Sequence, residues 1–174
     1  MTTMSGTGRF RKAGIKVRII AALVAAVWFD ANTGNIIPYG HSATTERIVA
    51  DTATGLAISG FDPVGYFTDS AAKFGRPEIE QSFGGAVWRF LNAGNRAAFV
   101  AHPEVYMPRF GGYDPVAASR GKSVAGHPLH WAISDRRLYL FYDKRNRAEF
   151  LADADRIVAE AERRWPQVKH NLTP

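Results

Sequence analysis

The stretch Asn95-Arg96-Ala97-Ala98-Phe99 recurs 51 positions later as Asn146-Arg147-Ala148-Glu149-Phe150. Three further landmarks keep this offset: Trp88 with Tyr139, Phe90 with Phe141, and Gly75-Arg76-Pro77 with Gly126-His127-Pro128. An offset of 52 aligns Phe61-Asp62-Pro63-Val64 with Tyr113-Asp114-Pro115-Val116. Because the landmarks keep both order and spacing, the sequence predicts two related halves, at about 58–110 and 111–166.

Each half contains the same series of local signals. An aromatic-Asp-Pro-Val turn and a Gly-x-Pro loop precede an apolar strand, Val87–Leu91 or Leu138–Tyr142, and a helix follows. Pro103 and Pro108 are expected to stop the first helix, whereas the second can run from about Lys144 to Trp165 and end at Pro166. We therefore predict an α+β fold of two pseudo-repeated strand-loop-strand-helix units that share one core, with a long C-terminal helix. The apolar residues of that helix follow a period of about 3.6 and are expected to face the sheet: Phe150, Leu151, Ala154, Ile157, Val158, Ala161 and Trp165.

The charge of the chain is concentrated near its start. The whole sequence of 174 residues has a net charge of +6, but residues 51–174 carry sixteen Lys and Arg against fourteen Asp and Glu. No basic stripe interleaved with aromatic residues occurs in that part, so no nucleic-acid partner is expected.

Residues 1–31 have the pattern of an export signal or a membrane anchor. Five basic residues between Arg9 and Arg18 precede eleven uninterrupted apolar residues, Ile19–Phe29. An apolar run of this length suits a signal peptide better than a membrane-spanning helix, which needs about twenty residues. If the segment is not cleaved, residues 15–29 would contact the membrane; the alternative is a helix that packs on the domain. Residues 32–56 are polar and predict a linker, and residues 57–168 predict the folded domain.

The sequence contains no cysteine. Disulfides, thiolate metal sites, cysteine nucleophiles and iron–sulfur clusters are therefore excluded.

The repeated motifs resemble the YHS domain, in particular bacterial exported YHS-domain proteins. The resemblance covers about Ile58 to Pro166 and rests on residues 60–67, 88–90, 95–99 and 102–106, and on Gly111-Gly112-Tyr113 and Arg164-Trp165-Pro166. Metal-binding members of this class would have cysteines after Asp-Pro-Val and around the strand-to-helix turn. In this chain the corresponding residues are Gly65, Leu91 and Asn95 in the first half and Ala117, Tyr142 and Asn146 in the second. None can supply a thiolate, so no cofactor is expected, and a metal ion remains only an alternative.

Asp62 and Asp114 precede prolines in turns, where a carboxylate typically accepts backbone N–H bonds. The alternative is a pair of carboxylates, brought together by the pseudo-twofold relation of the halves, that performs acid/base catalysis. His127 and His130 are two candidate metal ligands, although a site would need a third and fourth ligand, and exposed loop histidines are the simpler interpretation.

Polar and aromatic residues near the junction of the halves are candidates for a ligand site, with ordinary packing as the alternative: Tyr66, Tyr106, Arg109, Tyr113 and Arg120. Together these observations predict a non-catalytic YHS-type binding or accessory module, exported to the periplasm or anchored to a bacterial inner membrane. Its partner would be an unknown small ligand or protein. A metal-handling protein that uses histidines and carboxylates for copper, zinc or iron is the second hypothesis, and an enzyme with paired aspartates is the third.

Overall fold

The computed structural model describes residues 47–172 in full and residues 27–29 and 36–38 by their backbone. Strands β1 (Val27–Phe29) and β2 (Ile36–Pro38) pair antiparallel. The chain divides into two compact units, residues 1–40 and residues 41–174. Most of the predicted leader lies outside the described residues. Among the residues that the structure describes, no helix is both long and apolar enough to cross a membrane.

The second unit contains two successive sets of elements in the same order. The first set begins with a 3-10 turn at Ile58–Gly60 and continues with helix α1 (Gly65–Thr68), strands β3 (Arg76–Phe83) and β4 (Ala86–Phe90), and helices α2 (Ala93–Ala101) and α3 (Pro103–Tyr106). The second set begins with a 3-10 turn at Arg109–Gly112 and continues with α4 (Pro115–Ser119), β5 (His127–Ser134), β6 (Arg137–Phe141), α5 (Lys144–Ala152) and α6 (Ala154–His170). The predicted α+β fold with two pseudo-repeated units and a long C-terminal helix is confirmed.

The two hairpins pair in the same register, and each contains a register shift at the equivalent place. In β3–β4, Phe83 pairs with Ala86 and the register shifts between Arg76 and Glu80. In β5–β6, the equivalent shift lies between His127 and Trp131. A glycine precedes each shifted segment because the opposite strand leaves no room for a side chain: a Cβ on Gly75 would lie 2.3 Å from the Arg89 carbonyl carbon. This close approach explains why both Gly-x-Pro loops begin with glycine.

The prediction of one continuous second helix from Lys144 to Trp165, ending at Pro166, was wrong at two points. The helix breaks at Asp153, whose φ and ψ of −158° and 62° resemble the −142° and 60° of His102 at the equivalent position of the first half. After the break, α6 continues through Pro166 to His170. Pro166 and Glu162 are exposed, so water can satisfy the Glu162 carbonyl that loses its helical donor.

The break at Asp153 also changes which residues face the interior. Leu151 was expected on the buried face but is 54% exposed. Its counterpart in the first half, Val100, is 56% exposed. Phe150, Ile157 and Ala161 are buried as expected, and Val168, which follows Pro166, is buried as well. The two helices therefore have separate apolar faces.

The core consists of two buried clusters with β6 between them. Leu138 and Leu140 belong to the cluster of the first half, whereas Tyr139 and Phe141 belong to the cluster of the second half. Successive side chains of a strand point to opposite faces, so one strand serves both clusters. Through β6 the two halves share their packing.

The packed unit is longer than the domain predicted at residues 57–168. Ile48 and Ala50 pack in the first cluster, and Leu172 is buried in the second. Ile48 and Ala50, which lie in the stretch 32–56 expected to be a linker, thus pack on the domain, whereas residues 51–54 are exposed.

Candidate functional site

The carboxylate of Asp62 lies fully buried at the centre of the first half. Its Oδ1 accepts hydrogen bonds from the backbone N–H of Val64 at 2.8 Å and of Gly65 at 3.4 Å. Its Oδ2 accepts from the backbone N–H of Leu91 at 2.7 Å and from Nδ2 of Asn95 at 2.6 Å. The side chain therefore joins the turn before α1 to the end of β4 and the first turn of α2.

The carboxylate of Asp114 repeats this arrangement in the second half, where it is also fully buried. Oδ1 accepts from the backbone N–H groups of Val116 at 2.7 Å and Ala117 at 3.2 Å. Oδ2 accepts from the backbone N–H of Tyr142 and from Nδ2 of Asn146, both at 2.7 Å. We call these two arrangements the Asp–Asn networks.

The Asp–Asn networks leave the carboxylates little capacity for other chemistry. Each carboxylate accepts four hydrogen bonds, which matches the approximately four lone-pair sites that a carboxylate offers. All four donors come from its own half, so neither aspartate depends on the other. This arrangement fits a buried charge held by N–H groups better than a catalytic pair that shares a proton.

No structural role was predicted for Asn95 and Asn146. Both were landmarks of the repeat and positions where the YHS resemblance implies a cysteine, although each supplies the side-chain donor of its network. The available signal was the shared spacing: each asparagine follows the aspartate of its own half by 33 or 32 residues. A pattern of Asp-Pro-Val followed by asparagine in both halves indicates a paired role.

The positions at which the YHS resemblance implies cysteines converge on these carboxylates. In the first half Gly65, Leu91 and Asn95 all donate to Asp62. In the second half Ala117, Tyr142 and Asn146 stand in the same relation to Asp114. Backbone and amide N–H groups bind an anion and are not metal ligands, so these positions in this chain suit the carboxylate they surround.

His127 and His130 lie close together on β5, with ring centroids 5.1 Å apart. Nδ1 of His127 accepts a hydrogen bond from the backbone N–H of Leu129 at 3.1 Å. A neutral imidazole that accepts at Nδ1 carries its proton at Nε2, so ligation through either nitrogen would require loss of this hydrogen bond. Within residues 47–172 no group of three potential metal-binding side chains was found.

The His130 imidazole has a pKa lowered below its usual value, first by burial and then by the positive charge of Lys144. Asp143 acts in the opposite direction. The neutral ring is therefore favoured in the folded protein.

Two of the predicted ligand residues, Tyr66 and Tyr106, pack at the first cluster. Tyr66 is fully buried, and its hydroxyl donates to the carbonyl of Pro128 at 3.1 Å. Its ring meets Trp131 edge to face at 5.3 Å between centroids. Tyr106 is partly buried and meets Phe67 edge to face at 5.4 Å. Tyr66 therefore connects the first half to β5 of the second.

The other three predicted ligand residues lie in the second half. Tyr113 is buried with its ring 5.7 Å from that of Trp165 on α6. Arg109 forms an ion pair with Glu162, also on α6. Arg120 pairs with Glu149 of α5, with 2.6 Å between Nη2 and Oε1. The five candidates are thus divided between the first cluster and the surroundings of α5 and α6.

No protein-family model matches this chain, and neither a curated protein nor a solved structure matches it.

Proposed function

We propose that this chain is a non-catalytic binding or accessory module of the YHS type, exported or anchored to a membrane, with an unidentified small ligand or protein partner. One observation carries the proposal: the two buried carboxylates, the strongest catalytic candidates in the sequence, are each held by four N–H donors. Polar groups that are fully used to hold the fold favour a structural scaffold over an active site.

Two of the predicted ligand residues lie partly exposed in the segment between the halves. Tyr106 is partly exposed, and the Arg109 side chain is 36% exposed with its guanidinium 5.6 Å from the Phe110 ring centroid. An aromatic ring next to an arginine is a common composition for recognition surfaces. The proposal places ligand contact at Tyr106 and Arg109.

Native mass spectrometry of the full chain, purified without a tag from its own host, tests this proposal. We expect an additional bound mass that Tyr106→Ala and Arg109→Ala each reduce. Arg156→Ala is the matched control, because Arg156 also pairs with an acidic partner, Asp153, on the exposed side of its helix. A bound mass that is unchanged in both variants, or the absence of any additional bound mass on the unsubstituted chain, would refute ligand contact at Tyr106 and Arg109.

The export part of the proposal depends on the basic and apolar pattern of residues 9–29. Fractionation of host cells should find the full chain in the periplasm or with the inner membrane. Replacement of Leu23 and Val24 by aspartate should retain the chain in the cytoplasm, since charges interrupt the apolar run. An unchanged distribution between fractions would contradict the proposal.

A further inference from the structure

A short segment before the predicted domain forms hydrogen bonds with both halves. We call residues 47–50 the strap. The backbone N–H of Val49 donates to the carbonyl of Gly111 at 2.8 Å. The carbonyl of the same residue accepts from the backbone N–H of Ile58 at 3.1 Å. A single residue thus connects the two 3-10 turns that begin the halves.

The two turns that the strap joins have the same unusual backbone. Three successive residues have positive φ in each turn: Ile58, Ser59 and Gly60 at 44°, 55° and 78°, and Phe110, Gly111 and Gly112 at 57°, 64° and 91°. A positive φ is unfavourable for any residue with a side chain, and especially for a β-branched one such as Ile58. Such a conformation persists only where surrounding contacts hold it, and the Val49 hydrogen bonds are two of these contacts.

The side chains of the strap alternate between the two clusters. Ile48 packs against the first cluster, Val49 against the second, and Ala50 is buried in the first. Since side chains of an extended segment point alternately to opposite sides, the strap packs against both clusters at once.

Gly111 and Gly112 leave space for the backbone of the strap. A Cβ on Gly111 would lie 2.0 Å from the carbonyl oxygen of Arg47, and a Cβ on Gly112 would lie 3.3 Å from Cβ of Val49. The glycine pair therefore leaves room for the strap and not for an additional methyl group at position 111. This gives Gly111 a role that the predicted ligand site did not include.

A small hairpin holds the C-terminal end of the strap. Ala50 and Ala57 form an antiparallel bridge, and the N–H of Asp51 donates to the carbonyl of Leu56 at 2.9 Å. The hairpin then continues onto β4, because the N–H of Ala57 donates to the carbonyl of Val87 at 2.8 Å. The other end, at Arg47, is exposed. Release would therefore begin at Arg47.

We propose that the strap is a releasable latch on the two 3-10 turns: it can leave Gly111 and Ile58 while β6, which packs in both clusters, keeps the halves in one core. The predicted leader precedes the strap in the sequence. A pull on the chain before residue 47, from a membrane or a partner, is then transmitted to both halves at Val49.

Limited trypsin digestion of the full chain tests whether the strap can be released locally. Cleavage after Arg47 reports on the strap, and cleavage after Arg89 in β4 reports on opening of the whole domain. In the unsubstituted chain, we expect cleavage after Arg47 to be at least about tenfold faster than cleavage after Arg89, because release of the strap requires less free energy than opening of the domain, and Gly111→Ala should accelerate cleavage after Arg47 further. Gly85→Ala is the matched control, because Gly85 also has positive φ, at 85°, but a Cβ there meets nothing within 4 Å.

Calorimetry of the same variants tests the coupling. The unsubstituted chain, Gly85→Ala and Gly111→Ala should each unfold in one transition, because β6 packs in both clusters, and Gly111→Ala should unfold at the lowest temperature. Two transitions in Gly111→Ala would overturn the proposal, because the strap would then hold the halves together and would not be a local latch.

A second variant covers the case in which Gly111→Ala opens the whole domain. Val49→Ala keeps both backbone hydrogen bonds but removes the packing on the second cluster, so cleavage after Arg47 should rise several-fold and remain faster than cleavage after Arg89. Equal cleavage rates at the two sites in the unsubstituted chain, or no acceleration at Arg47 in either variant, would overturn the proposal.

Discussion

The Asp–Asn networks predict a specific loss of stability when the asparagine is truncated. In Asn146→Ala, Oδ2 of the fully buried Asp114 loses the Nδ2 donor at 2.7 Å and keeps only the Tyr142 N–H. A hydrogen bond to a charged group contributes about 1.5–3 kcal/mol, and its loss leaves part of a buried charge unsatisfied. Alanine has a higher helix propensity than asparagine, which offsets about 0.5 kcal/mol of this loss on helix α5. We therefore expect a net decrease of about 2 kcal/mol in the free energy of unfolding.

The equivalent change in the first half provides an internal comparison. Asn95→Ala removes a donor 2.6 Å from Oδ2 of Asp62 and should cost the same amount. Arg145→Ala, at an exposed position of the same helix α5, is the control and should change stability by less than about 0.5 kcal/mol. Urea denaturation monitored by circular dichroism measures all three variants, provided that the slope stays constant. If both asparagine variants match the Arg145 control, the networks do not stabilise the fold and the reasoning fails.

Three further predictions concern the core, the leader and pH. Phe99→Ala and Phe150→Ala should each lower the free energy of unfolding by about 3–5 kcal/mol, because both rings are fully buried. Each variant should still melt in one transition, because β6 packs in both clusters, and two resolved transitions would contradict this. Deletion of residues 1–31 should leave a cooperative thermal transition, and its loss would mean that the apolar run belongs to the core. Because the folded state lowers the pKa of His130, stability should fall as the pH drops below the unfolded-state value of about 6.5. His130→Gln should weaken that acid-dependent loss, and an unchanged pH profile would show that this imidazole does not contribute.

The repeat was readable from the sequence because its landmarks are residues whose local chemistry determines structure. Gly75 begins its loop because no side chain fits there, and Asp62 precedes a proline at a turn. Such positions retain their spacing, so the order of elements in both halves could be predicted. The break at Asp153 could not be predicted, because no proline marks it and the apolar residues on both sides follow a single helical period in the sequence.

The networks and the strap depend on contacts between residues that are distant in sequence. Asn146 and Asp114 are 32 residues apart, and Val49 meets Gly111 across a longer separation. Local patterns show that Asp114 can hold a turn, but they do not show which donors reach its second oxygen. The polar sequence around the strap resembles a linker, and only its position between the halves explains why Ile48 and Val49 are apolar.

The metal content of the full chain tests most directly whether N–H donors around two carboxylates occupy the positions where the YHS resemblance implies metal-binding cysteines. Elemental analysis of untagged protein from its own host should find copper, zinc and iron well below one ion per chain, with the same result in a variant that lacks His127 and His130. The contradictory result is about one ion per chain that is lost in this variant and retained in His102→Ala, a control at an exposed histidine. That outcome would make the chain a metal-handling protein.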